Sequence, residues 1–119
     1  MSCAAEPDYV TRVGRETWAT IHTFAAGVRT DADVRGFLDF LDALTRVYPC
    51  LMCRKNFAGG VARVYLDQAR TRPFTPDMAV RWTSLFHALV TISVSGTQNR
   101  WATPAVRELY AHLKSKITI

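Results

Sequence analysis

The sequence lacks the long apolar run and the N-terminal leader that mark membrane and secreted proteins. It contains no stretch of about 18 consecutive apolar residues, so no membrane-spanning helix is expected. Its start, Met1-Ser2-Cys3-Ala4-Ala5-Glu6, has no charged segment followed by an apolar one, so we expect no targeting signal. Strand signals are nearly absent as well, and no internal repeat or low-complexity segment occurs.

Charge is also not clustered. The formal net charge of +5 comes from 15 basic and 10 acidic residues, and no block of five like charges occurs. A nucleic-acid binder needs a clustered basic face, so nucleic acid is not an expected partner, although the positive field suits an anionic cofactor or protein. The 119 residues are 49% hydrophobic, which predicts a single packed domain over residues 1–119.

Cysteine is scarce, but two of the three cysteines stand close together in Tyr48-Pro49-Cys50-Leu51-Met52-Cys53. Proline suits a first helical turn, and an apolar-periodic run follows, so the segment predicts a dithiol at the start of a helix. The positive end of the helix dipole would favour the thiolate of Cys50. The spacing alone fits a redox pair, half of a zinc site or two core cysteines.

A complete zinc site is not expected. Such a site needs about four ligands. The other candidate ligands, Cys3, His22, His87 and His112, offer no second paired spacing. We therefore predict no metal site in the chain.

Apolar residues at three- and four-residue spacing predict five helices and no confident strand. After an irregular tail at 1–10, the expected helices cover about residues 11–28, 32–47, 50–69, 76–93 and 104–114. We therefore predict an all-α fold, an antiparallel four-helix bundle with a short fifth helix. Gly59-Gly60 in the third helix indicates either a kink or frayed turn or a close helix–helix contact, and both interpretations stay open.

Three segments of the predicted helices carry a recognisable combination. The first helix contains Gly14-Arg15-x-x-Trp18-x-x-x-His22-Thr23-x-Ala25-Ala26, the third opens with Tyr48-Pro49-Cys50-x-x-Cys53, and the fourth contains Trp82-x-x-x-x-His87-x-x-Val90. In this order and at these separations, the set closely resembles the Erv/ALR family of FAD-linked sulfhydryl oxidases over about residues 13–110. With no second dithiol and no targeting extension, the chain looks most like the small members encoded by large DNA viruses.

The resemblance implies a homodimer whose helical bundles each hold FAD at one end. Cys50 and Cys53 would be the catalytic pair, with Cys53 facing the flavin and Cys50 exchanging disulfides with a protein dithiol. Electrons would pass through FAD to O2, giving H2O2. The donor would be a thioredoxin-like protein or a viral redox intermediary, in the host cytoplasm or the virion if the protein is viral. The implied cofactor-binding residues are Gly14, Arg15, Trp18, His22, Tyr48, Cys53, His87, Val90, Thr91 and Trp101.

The resemblance also implies roles within that set. Trp18 and Trp101 would pack on the adenine or the flavin, and His22 and His87 would hydrogen-bond cofactor oxygens or phosphate. Arg15 would bring positive charge to the pyrophosphate or to the dimer contact. Trp82, outside the set, fits either the site or the core.

The fourth helix departs from the family pattern. It reads His87-Ala88-Leu89-Val90-Thr91 where the family usually has His-Asn-x-Val-Asn, so two side-chain amides are missing. Thr91, Ser93 and Asn99 are the candidates to replace their hydrogen bonds to FAD. The departure supports an alternative function, a flavin-free helical adaptor whose cysteines are structural or bind zinc in a dimer. Cys3, the third cysteine, could relay electrons, form a disulfide between the two subunits or have no role.

Overall fold

The structure is a computed structural model that describes residues 7–96 and 100–117. This part of the chain contains α-helices, one short 3-10 turn and no strand, which confirms the all-α prediction. Within it, no helix combines the length and the apolar character needed to cross a membrane. The helices are α1 (Pro7–Ala26), α2 (Asp31–Val47), α3 (Leu51–Ala58), α4 (Val61–Thr71), α5 (Ala79–Ser95) and α6 (Pro104–Lys114), and the 3-10 turn Pro76–Met78 leads into α5.

The bundle is organised around α5, which packs against α1 and α4. α2 lies against α3 and α4, and α6 packs on α4 and α5. The buried Phe86 of α5 belongs to the core shared with α1 and α2, whereas Leu89 and Ile92 belong to the core shared with α6. The predicted bundle with an added C-terminal helix is therefore present, with the predicted third helix in two pieces.

α1 begins earlier than the apolar pattern indicates. Pro7 is its first residue, so residues 7–10 are helical and the predicted irregular tail at 1–10 is wrong for them, whereas residues 1–6 lie outside the described part. Proline is compatible with this start because its fixed φ and missing N–H cost nothing in a first turn. The helix ends at Ala26, and the N–H of Gly27 donates to the carbonyl of Phe24.

The glycine pair separates α3 from α4. Gly59 ends α3, and Gly60 is the extended N-cap residue of α4 with φ −111° and ψ −178°. A Cβ on Gly60 would lie 2.5 Å from the carbonyl oxygen of Asn56, so a side chain cannot fit there without moving the backbone. The close contact is therefore between Gly60 and the backbone of the preceding turn, not between two helices. The predicted third helix ends here and does not merely kink.

α2 begins within one residue of its predicted start. The Oγ1 of Thr30 accepts a hydrogen bond from the N–H of Asp33 at 3.1 Å, and the carboxylate of Asp33 accepts from the N–H of Thr30 at 3.1 Å. This reciprocal capping satisfies two donors that a helix start otherwise leaves unpaired. Backbone N–H groups of Arg29 and Thr30 lower the pKa of the Asp33 carboxyl below its ordinary value.

Trp82 packs in the core. Its side chain is 7% exposed, and its ring stacks between Tyr65 and Phe86 with both centroid distances at 5.0 Å. Phe74 contacts the same ring edge-on at 5.6 Å. Stacked aromatic pairs stabilise a core by more than the hydrophobic contribution of the surface area that they bury. The core interpretation of Trp82 therefore holds.

Thr83 on α5 provides a stability test. Its side chain is fully buried, and its Oγ1 has no hydrogen-bond partner in the described structure. A buried hydroxyl without a partner costs about 1–3 kcal/mol, and valine has the same shape without the polar group. We expect Thr83→Val to raise the free energy of unfolding by about 1 kcal/mol, measured by urea denaturation followed by circular dichroism.

Ser84→Ala is the matched control, because Ser84 is the next residue on α5 but is exposed. Its effect on the free energy of unfolding is expected to stay within about 0.5 kcal/mol. A less stable Thr83→Val protein would show that the hydroxyl is satisfied in solution.

Candidate active site

Cys50 and Cys53 are joined by a disulfide across the first turn of α3. Cys50 is the N-cap residue of this helix, so the helix proper starts at Leu51, one position later than predicted. The Sγ of Cys50 accepts a hydrogen bond from the N–H of Cys53 at 3.2 Å, in the role that a side-chain oxygen usually has at an N-cap. The pair therefore lies at the positive end of the α3 dipole.

The two cysteines differ in their surroundings. Cys50 is buried, with 3% of its surface exposed, whereas Cys53 is partly exposed and lines a cavity. The intervening Leu51 and Met52 are 51% and 50% exposed. One end of the disulfide thus borders a cavity, and the other end is covered.

The cavity has a volume of about 230 Å³ and lies among α1, α2, α3, α4 and α5. Its walls are mostly apolar, with Phe57 and Phe86 among the aromatic side chains, and Thr17 and Thr45 add hydroxyl groups. Half of the predicted cofactor-binding residues line it. These are Gly14, Trp18, Tyr48, Cys53 and Val90.

Three more predicted residues form a ring cluster with Trp18. The imidazole of His87 stacks on Trp18 with a centroid distance of 4.0 Å and contacts the ring of Trp101 at 5.0 Å. The Nε2 of His22 lies 3.1 Å from the Nδ1 of His87. Because Trp18 also lines the cavity, it connects the cavity to the cluster.

The His22–His87 hydrogen bond constrains protonation. One ring nitrogen must donate and the other must accept, so at least one of the two rings is neutral. Burial, with a smaller contribution from the charge of His22, lowers the pKa of His87 to about 4. His87 is therefore uncharged at neutral pH.

Two predicted cofactor residues are not brought to the cavity or the cluster. Arg15 is exposed on α1 and does not line the cavity. The hydroxyl of Thr91 donates to the carbonyl of His87 at 2.9 Å, along its own helix. Of the other candidates to replace the missing amides, Ser93 lines the cavity, and Asn99 lies outside the described residues.

Two polar residues of α3 that line the cavity, Arg54 and Asn56, were not predicted from the sequence. The Nε of Arg54 donates to the carbonyl of Tyr48, which holds the side chain at the cavity. Asn56 follows Cys53 by three residues, so the two side chains share a helix face. That spacing was the available signal, and it supplies a side-chain amide at the site.

Comparison with known proteins gives one family. Residues 15–110 match the family model described as the Erv1/Alr family, which covers most of the chain. The match agrees with the resemblance read from the three helical segments. No curated protein and no solved structure shows significant similarity to the chain.

His87 predicts a pH dependence of stability. Its folded pKa of about 4 lies below the value of about 6.5 for an unfolded histidine. The unfolded state therefore binds more protons between these values, and stability is expected to fall as the pH is lowered from about 6.5 to about 4. We expect His87→Gln to flatten this part of the curve of melting temperature against pH, measured by circular dichroism.

The control is His112→Gln, since His112 is exposed on α6. It is expected to keep the slope of the wild-type curve. The same slope in wild type and His87→Gln would contradict the assignment to His87.

Proposed function

This chain belongs to the Erv1/Alr family, and from that premise we propose that it is an FAD-linked sulfhydryl oxidase that forms disulfides in protein thiols. The strongest support is the Cys50–Cys53 disulfide, with Cys53 at the wall of an aromatic cavity. FAD, when bound, would accept two electrons from the dithiol and deliver them to O2, giving H2O2.

The cavity fits a flat, mostly apolar ring. Trp18, Tyr48 and Phe86 supply aromatic walls, and Arg54 and Asn56 supply a positive charge and an amide. Cofactor sites typically combine apolar walls with a few polar groups in this way. At about 230 Å³ the cavity is smaller than the usual range of about 300–1,000 Å³. We therefore assign it to the flavin ring alone.

The ring cluster is the candidate for the remaining part of the cofactor. Its aromatic faces suit stacking on adenine, and the neutral His87 can hydrogen-bond an oxygen without adding a charge. Arg15 on α1 is the proposed partner of the pyrophosphate or of the second subunit. Thr91 keeps its proposed role at the cofactor, with its hydroxyl anchored on the carbonyl of His87.

The thiol chemistry follows from the disulfide. A partner thiolate attacks the Sγ of Cys50, forms a mixed disulfide with it and breaks the bond to Cys53, which leaves as a thiolate. The start of α3 and the guanidinium of Arg54 favour that thiolate. The partner's second thiolate then attacks the partner's sulfur in the mixed disulfide. Cys50 leaves reduced, and the partner, having lost two electrons, leaves as a disulfide.

Because Cys50 is buried, this exchange requires a local opening. α3 has eight residues, and none of the side chains along it is buried. The break at Gly59-Gly60 separates it from α4, which contributes Leu66 and Ala69 to the core. Phe57 is the side chain of α3 that packs against the core, edge-on to Phe86 at 5.9 Å. An opening limited to the first turn of α3 would therefore expose Cys50 without removing that contact.

We also propose that the protein acts as a homodimer. Phe24 of α1 is 52% exposed and contacts Phe40 of α2 edge-on at 5.4 Å. Phe40 is partly buried against the core, so Phe24 is the exposed member of the pair, and an exposed aromatic side chain suits a surface that a partner covers. The thioredoxin-like or viral thiol donor and the viral origin are expectations from the family resemblance.

The visible spectrum tests the oxidase proposal. We expect the purified protein to show flavin absorption that dithiothreitol bleaches under nitrogen. Cys53→Ser is expected to keep the colour but resist bleaching, because it lacks the proposed electron donor. Cys50→Ser is expected to keep the colour and lose at least about ten-fold in turnover of a protein dithiol. Colourless protein with bound zinc would favour the adaptor function instead.

The oligomeric state tests the proposed dimer surface. Phe24→Asp places a charge on that surface, and we expect it to raise the dimer dissociation constant at least about ten-fold. Sedimentation velocity at several protein concentrations measures the change. Phe24→Leu keeps an apolar side chain and is expected to remain dimeric, and an equally dimeric Phe24→Asp protein would locate the interface elsewhere.

A further inference from the structure

Thr45, Arg54 and Phe57 line the first cavity and also a second one. The second cavity has a volume of about 390 Å³, and its other lining residues are Arg46, Ala58 and Arg63. Half of this lining is arginine, and no carboxylate side chain of the described residues contributes to it. We call it the arginine cleft.

The three guanidiniums differ in how far their charge is already neutralised. Arg63 pairs with Asp42 at 2.7 Å and with Asp67 at 2.6 Å, and the hydrogen bond from Arg63 is the main reason that the pKa of Asp42 is lowered. Arg46 shares Asp42 at 3.5 Å, and its side chain is 68% exposed. The Nε of Arg54 donates to a backbone carbonyl, that of Tyr48, and not to a carboxylate. Positive charge is therefore in excess at this cleft.

The helix that carries Arg54 adds to that excess. The first turn of α3 contains no acidic residue, although a helix start favours negative charge. Lys55 follows Arg54 directly and is exposed. Arg54, which lines the arginine cleft, and the positive end of α3 thus lie within one helical turn of the disulfide, and an anion bound at the cleft would offset the excess positive charge.

Exposed apolar side chains are close in sequence to the residues that line the cleft. Val47 follows Arg46 and is 67% exposed, and Leu51 and Met52 at the start of α3 are about half exposed. Side chains of this kind suit contact with a peptide, because a free phosphate would leave them uncovered. Guanidiniums bind carboxylates through paired hydrogen bonds.

We propose that the arginine cleft binds an acidic segment of the thiol-donating protein. Carboxylates of the segment would contact Arg46 and Arg54, and its apolar side chains would cover Leu51 and Met52. Docking there would hold the donor's thiol next to Cys50 and the α3 opening. The identity of the partner as a thiol donor rests on the proposed function, whereas the charge preference of the cleft does not.

Two fluorescein-labelled peptides of equal length test the cleft with the full-length protein. They differ only in three Glu-to-Gln positions and carry Ser in place of Cys, so that binding is measured without thiol exchange. By fluorescence anisotropy at low salt, we expect the Glu peptide to bind at least about ten-fold more tightly than the Gln peptide. About 0.5 M NaCl is expected to remove the difference by screening.

Variants assign the binding to the cleft. Arg46→Gln and Arg54→Gln are each expected to weaken the Glu peptide about three- to ten-fold, as for partly exposed charged contacts. The matched controls are Arg35→Gln on α2 and Lys55→Gln on α3, which remove the same charge from exposed positions outside the cleft. They are expected to change the dissociation constant less than about two-fold. Arg63 is left intact because its removal would leave Asp42 and Asp67 without their partner.

Equal binding of the two peptides, or equal effects of cleft and control variants, would overturn the proposal. The proposal would also be overturned if inorganic phosphate displaced the Glu peptide well below the ionic strength at which NaCl displaces it. Such a result would indicate a site for small anions. Versions of the peptides with two cysteines in place of the serines then test the oxidase function separately from binding. If neither these peptides nor dithiothreitol is oxidised, the oxidase proposal fails, and the anisotropy data still decide the cleft.

Discussion

The sulfur of Cys50 fixes the geometry on which the site depends, because it is both the N-cap of α3 and half of the disulfide. As N-cap it sets where the helix starts, and that start places Cys53 at the third helical position, at the wall of the cavity. Breaking the disulfide therefore changes the cap of the helix that presents the other thiol, because the Sγ of Cys50 then caps α3 as a thiol or thiolate. The redox state of the pair and the start of α3 are thus coupled through one atom.

α3 contributes fewer buried side chains than the other helices of the bundle. α2 and α4 are joined by ion pairs of Arg63 with Asp42 and of Arg70 with Asp39, and Trp82 stacks within the core behind them. α3 has no buried side chain along its length and is separated from α4 by the glycine pair. Reactive groups on peripheral elements can reach a partner while the scaffold stays folded. The break at Gly59-Gly60 would confine the proposed opening to α3.

Helix boundaries were predictable where a side chain caps the helix. Thr30 and Thr103 accept hydrogen bonds from the first turns of α2 and α6, and both starts were predicted within one residue. The third helix was predicted as one piece because apolar periodicity continues on both sides of the break. What divides it is the approach of Gly60 to the backbone of Asn56, and a periodicity argument contains no information about such a contact.

The candidate site was partly predictable for a similar reason. Trp18 and Val90 were predicted as cofactor-binding residues from the family resemblance, and they do line the cavity. Thr91 was predicted in the same way, but it does not line the cavity, and its hydroxyl donates to the carbonyl of His87 on its own helix. Membership of a motif thus predicted which segments meet more reliably than which side chains point inward.

The fourth predicted helix lacks two side-chain amides of the family pattern, and the fold offers a way to compensate for their absence. Several helices surround the cavity, so a polar group absent from α5 can be supplied by another wall without moving the backbone. Asn56 is placed to do this, because it lies on the same face of α3 as Cys53, and both line the cavity. If α3 presents Cys53 to a flavin, as proposed, it would bring the amide of Asn56 with it, so the departure at Ala88 and Thr91 is compatible with the proposed flavin site.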